Sequence, residues 1–113
     1  MGFKVGAIKP IETGVTALPP DGAALYEKIK DQFQTLTLND VVPITYPIPA
    51  APYIASKTVP IAYDQIDAAI EKIEAACDIL LIEGAGGVLV PLDSEHTILD
   101  LVKRYDATLL LVT

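Results

Sequence analysis

Apolar residues fall along this chain in two rhythms, and the changes of rhythm mark the elements. Residues 4–8 (Lys-Val-Gly-Ala-Ile) read as a short buried strand, with Lys9 at its carboxyl end. Residues 21–30 carry Leu25 and Ile29 four apart, the step of a helix, with Asp21 placed to serve as its N-cap. Pro43, Pro47, Pro49, Pro52 and Pro60 then exclude any long regular element over 31–60. Only a short strand-like stretch at 41–46, interrupted by Pro43, is expected there. Residues 64–77 repeat Ile66, Ile70, Ile73 and Cys77 at three- and four-residue steps, which predicts a second helix opened by Asp64. Residues 79–83 form a strand, 89–92 an extended stretch held by Pro91, 97–105 a third helix with Ile98, Leu101 and Val102 inward, and 108–112 a last strand. The order β-α-loop-α-β-α-β predicts a single, incomplete α/β domain over 1–113, part of a doubly wound parallel sheet with helices on both faces. Strands apolar on both faces need cover on both sides, and three helices are few for that task.

The densest chemistry lies at 79–91. Ile79-Leu80-Leu81-Ile82 is continuous apolar strand, Glu83 follows at once, and Gly84, Gly86 and Gly87 make a glycine-rich turn. Open α/β sheets bind ligands at the carboxyl ends of their strands. A carboxylate at that position is where nucleotide-hydrolysing folds hold magnesium, and glycines let backbone N–H groups approach an anion. A solvated acid beside an ordinary turn is the plainer alternative. A second strand end of the same kind strengthens the functional reading. Lys9 leaves the first strand into Pro10, with Thr13 and Gly14 just beyond, so an ammonium, a carboxylate and a hydroxyl are expected along one sheet edge. Those groups suit phosphoryl transfer or carboxylate activation.

Composition narrows the rest. Half of the 113 residues are hydrophobic and only 20% charged, which excludes a disordered chain. Eight Lys and Arg against fifteen acids give a net charge of −7 and no basic stripe, which argues against nucleic acid as a partner. No apolar run approaches the ~20 residues of a membrane span, and the first residues carry no secretory leader pattern. The single cysteine, Cys77, suits core packing in a reducing, cytoplasmic setting.

Lys9-Pro10-Ile11-Glu12-Thr13-Gly14, followed some seventy residues later by Ile82-Glu83-Gly84-Ala85-Gly86-Gly87 and by Val90-Pro91-Leu92, resembles dethiobiotin synthetase, with Pro19-Pro20-Asp21-Gly22 and Ala51-Pro52 between them in family order. That family belongs to the P-loop nucleotide-binding enzymes. It closes the ureido ring of dethiobiotin from 7,8-diaminononanoate, CO2 or bicarbonate, and ATP. The resemblance implies a catalytic Lys9 that supports the substrate carbamate and the charge built during phosphoryl transfer. It implies Mg2+ held by Asp21 and Glu83, and substrate contacts from Thr13, Gly86 and Gly87. It adds Pro52 as a pocket-lining residue, beside a purely structural role for that proline. For Asp21 the N-cap role stands as the alternative. It also implies a homodimer.

The chain departs from the family at both ends: the family's C-terminal strands and helices, which complete adenine recognition and part of the substrate site, have no counterpart in these residues, and neither does its phosphate loop. No G-x-x-x-x-G-K-[ST] phosphate loop occurs in it. The resemblance therefore covers the middle of a family member, starting at its second strand. Without the loop's N–H groups and lysine, these 113 residues alone are expected to bind ATP weakly and to make no dethiobiotin. A related P-loop amidoligase and a non-catalytic piece packing on another subunit are the competing readings. Glu12 is expected to face solvent, His96 to be an exposed residue before the last helix, and Ser94 to lack the base a hydrolase needs.

Overall fold

Residues 5–13 form two strands rather than one, because Pro10 has no N–H to give to a ladder. The computed structural model describes residues 2–112. In chain order it contains β1 (Val5–Ile8), β2 (Ile11–Thr13), α1 (Pro20–Ile29), α2 (Leu38–Val41), β3 (Ile44–Tyr46), α3 (Pro52–Ala55), α4 (Tyr63–Glu74), β4 (Ile79–Ile82) and α5 (Ile98–Arg104). β1 pairs parallel with β4, Val5 opposite Ile79 and Ile8 opposite Ile82. β2 pairs parallel with β3, Ile11 opposite Ile44 and Thr13 opposite Tyr46. Between the two ladders the Lys9 N–H donates to the carbonyl of Val41 at 2.8 Å. The chain thus changes partners at Lys9–Pro10.

The fold is α/β with parallel strands, as the element order predicts. Two short sheets stand where one continuous sheet is expected. The helix at 21–30 forms almost as read, and the proline-rich stretch holds only one-turn helices and a three-residue strand. α4 turns Ile66, Ile70 and Ile73 inward, where they join Ile8, Ile11, Val41 and Leu92 in the core. No helix among the described residues is long and apolar enough to cross a membrane.

Several local expectations differ from what is observed. β4 is not buried on both faces: Leu80 and Ile82 pack on the core, while Ile79 and Leu81 are exposed. Residues 108–112 make no strand, and Leu109, Leu110, Leu111 and Val112 are all exposed. A strand exists only through the ladder bonds of a neighbour, and no described strand lies alongside this run. Asp64 does not cap α4; the N-cap is Ala62, which makes no side-chain bond, and Asp64 sits in the first turn. Residues 75–77 leave the helix, so Cys77 packs on the core from a turn and is only partly buried. At α5 the Asp100 carboxylate accepts from the N–H of Thr97 at 2.7 Å, which holds the helix start.

Candidate functional site

Register brings the two motif halves together. The β1–β4 ladder continues one residue past β4, where the Glu83 N–H donates to the carbonyl of Ile8, the last residue of β1, at 2.9 Å. Glu83 therefore leaves β4 beside Lys9, which leaves β1. The Lys9 ammonium lies 3.2 Å from Glu83 Oε1 and 3.4 Å from the carbonyl oxygen of Gly84, the first residue of the glycine-rich turn. It lies 3.0 Å from Asp21 Oδ2 at the start of α1. The lysine side chain is only 7% exposed, whereas Asp21 and Glu83 are about half exposed at 57% and 48%. A buried ammonium thus joins two carboxylates that open to solvent.

Burial is the largest single influence on Lys9 and opposes its charge. The hydrogen bonds to Asp21 and Glu83, with the charges of both acids, outweigh it and raise the pKa above 10.5. Lys9 is therefore a fixed cation at neutral pH. It can stabilise negative charge, and it stays protonated there rather than serving as a base.

The start of α1 has an unexpected partner. Its N-cap is Pro19 and its first residue Pro20, neither of which offers a side-chain acceptor. Asp21 is therefore not the cap but the second helical residue, with its carboxylate free to meet Lys9. The acceptor comes from Glu12 on β2, whose carboxylate takes the N–H of Asp21 at 3.0 Å and of Gly22 at 2.8 Å. Glu12 is 3% exposed, so the expected solvent-facing position is wrong. A carboxylate buried at the positive end of a helix satisfies both its own charge and the helix's unpaired donors. Gly22 makes the contact possible: a Cβ there would lie 1.7 Å from Val42 Cγ2.

The other candidates do not bond to this cluster. Thr13 ends β2, half-buried and opposite Tyr46. Pro52 opens α3 and is fully buried, and the next residue, Tyr53, donates its N–H to the carbonyl of Pro91 at 3.0 Å. That bond links α3 to the segment that follows the glycine turn. Gly86 has a φ of +86°, a conformation only glycine adopts cheaply, and its neighbour Gly87 is exposed with nothing within 4 Å of an added Cβ. Neither Thr13, Pro52, Gly86 nor Gly87 is a partner of the Lys9 ammonium.

The donor set suits magnesium in one mode only. Among the described residues no group of three or more His, Cys, Asp or Glu gathers as a metal cage. Asp21 and Glu83 nonetheless sit around a common point, and Mg2+ characteristically takes one or two carboxylates and completes its shell with phosphate oxygens and water. His96 belongs elsewhere: its ring lies 2.9 Å from Asp93 Oδ1, and Asp93 also accepts from the Tyr63 hydroxyl. Sequence reasoning missed Glu12. No local signal marked it, because its partners are backbone N–H groups of a helix nine and ten residues further on.

Comparison with known proteins agrees with this architecture. A family model described as an AAA domain matches residues 1–113. The chain is 41% identical over 115 residues to the ATP-dependent dethiobiotin synthetase BioD of Sulfurovum sp. (strain NBC37-1), covering 99% of this chain and 55% of that protein. It is 34% identical over 113 residues to the protein of the same name from Aquifex aeolicus, with 98% and 49% covered. For the Wolinella succinogenes protein of that name the identity is 35% over 116 residues, with 98% and 53% covered. The chain spans about half the length of these relatives. It belongs to the AAA-domain family whose model matches it from end to end.

Proposed function

We propose that this member of the AAA-domain family supplies the lysine-and-carboxylate part of an ATP- and magnesium-dependent dethiobiotin synthetase site. The observation that carries the reading is the meeting of Lys9, Asp21 and Glu83 from three separate elements at one point. The names of the relatives supply the reaction class. The substrates would be 7,8-diaminononanoate, CO2 or bicarbonate, and ATP. One substrate amine takes up CO2 as a carbamate, ATP phosphorylates the carbamate oxygen, and the second amine attacks the carbon and expels phosphate.

Lys9 is suited to the charged stages of that sequence. Its ammonium is fixed, desolvated and positive at neutral pH, so it can stabilise carbamate and phosphoryl oxygens without first taking up a proton. Asp21 and Glu83 would hold Mg2+, which when bound offsets the charge of the ATP phosphates. Thr13 would offer its hydroxyl to the diamine, and Gly86 and Gly87 their backbone N–H groups to a substrate oxygen, with Pro52 shaping the wall. The same reading makes the whole protein a cytoplasmic homodimer.

A chimera tests the proposal. Residues 1–113 would replace the matching segment of the Sulfurovum synthetase, and dethiobiotin formation would be assayed with ATP, Mg2+, bicarbonate and the diamine. The chimera should form product, and Lys9→Ala within it should lower turnover by roughly 10²–10³, the worth of an oxyanion-type donor. A folded chimera that makes no dethiobiotin, or an unchanged rate in Lys9→Ala, would overturn the reading.

A further inference from the structure

We infer that Glu12 is a positioning residue for Asp21, and so for the acid pair that Lys9 joins. Reactivity is not its role: it is buried, it faces no open space, and its oxygens are both engaged by backbone N–H groups. Its role is to fix where α1 begins. Oε2 accepts from the N–H of Asp21 itself, and Oε1 from that of Gly22. Lys9, three residues earlier on the same stretch of chain, holds the Asp21 side chain. Asp21 is thus gripped twice from residues 9–12, once by its backbone and once by its carboxylate.

Among the described residues no other side chain accepts from the N–H groups at that helix start. Pro19 and Pro20 bring no side-chain acceptor, and Asp21 directs its carboxylate to Lys9 rather than to its own helix. The grip also needs close approach. The Cβ missing at Gly22 would stand 3.3 Å from Glu12 Oε1 as well as inside the van der Waals radius of Val42 Cγ2. Glu12 further occupies the two N–H groups of α1 that would otherwise attract an anion.

The inference rests on the proposed role of Asp21 as a metal carboxylate, and the experiment separates the two. Glu12→Gln keeps size and shape but loses the charge, and its amide accepts well from only one of the two N–H groups. In the 113-residue chain, Glu12→Gln should shift the Asp21 and Gly22 amide resonances and the Lys9 Nζ resonance, while the remaining spectrum stays dispersed. Mn2+ affinity, read by electron paramagnetic resonance, should fall roughly 10–100-fold, as for other residues that orient a metal ligand. Asp21→Asn is the reference. If it weakens Mn2+ binding and Glu12→Gln does not, the inference about Glu12 is wrong. If Asp21→Asn has no effect on Mn2+, the metal reading fails, and the Lys9 Nζ resonance alone decides: unchanged in Glu12→Gln, it overturns the positioning role. Should Glu12→Gln not fold, the unaltered chain gives the answer through hydrogen exchange. First-turn amides of a helix ordinarily exchange freely, so unprotected Asp21 and Gly22 amides would refute the grip and slow exchange would support it.

Discussion

Replacing Gly22 by alanine sets two effects of known size against each other. Alanine is the better helix former by roughly 1 kcal/mol in a helix interior, and less in a first turn. Against this, the new Cβ would lie 1.7 Å from Val42 Cγ2 and 3.0 Å from Val42 Cβ. Val42 is 2% exposed and sits in the core, so it has little room to yield. Overpacking of this kind costs about 1–3 kcal/mol, and the overlap is deep enough to place it at the upper end. The net expectation is a loss of about 2 kcal/mol. For a chain of 113 residues, that lowers the melting temperature by roughly 10 °C. Thermal unfolding followed by circular dichroism would measure it, with a double-mutant cycle as the decisive arm. Val42→Ala removes the clashing Cγ2, so Gly22→Ala should cost much less in that background than in the native chain. Equal costs in the two backgrounds, or a Gly22→Ala chain as stable as the parent, would refute the packing argument.

Two pH dependences follow from the ion pairs. The raised pKa of Lys9 means its contribution to stability is complete below about pH 10.5 and is lost as pH rises through the folded value; Lys9→Met should flatten that alkaline fall, and an unaltered alkaline limb would count against it. Asp93 shows the opposite sign. Burial works against its charge, but the Tyr63 hydroxyl, the N–H groups of Glu95 and His96, and the His96 ring hold its pKa at about 2, below the ordinary 3.8. Its stabilisation is present above 3.8 and lost as pH falls through about 2. The melting-temperature gap between the parent and Asp93→Asn should therefore be widest above pH 4 and close near pH 2; a gap independent of pH would reject the assignment.

Much of the candidate site was legible because its parts are local. Lys9-Pro10 and Glu83-Gly84 each mark a strand end by apolar run, charge and breaker residue, and parallel pairing of two such strands places both ends on one edge. Asp21 was legible as a residue at a helix start, though its exact place was not. The cap of α1 comes from Glu12, nine residues away and on another element, and no helix-start pattern records an acceptor supplied from outside the helix. The run at 108–112 misled for the converse reason. Its β-branched and leucine-rich composition is a strand's, but composition cannot supply the neighbour that turns an apolar run into a strand.

What the chain determined by itself was periodicity and punctuation. Ile66, Ile70 and Ile73 require one buried helical face, Pro10 ends a ladder wherever the chain is folded, and Gly86 permits a positive φ in any context. These are properties of a residue and its near neighbours, set by sterics and by burial of apolar surface. Tertiary structure decided how closely the charges of the site meet and which of them are buried. Lys9 lies 74 residues from Glu83, and its ammonium is buried and positive because the β1–β4 register and the start of α1 bring two carboxylates to it. Glu12 became a buried anion for the same reason. A charge leaves water only where the folded chain supplies opposing charge or donors to replace it, and those partners come from distant positions that no local pattern contains.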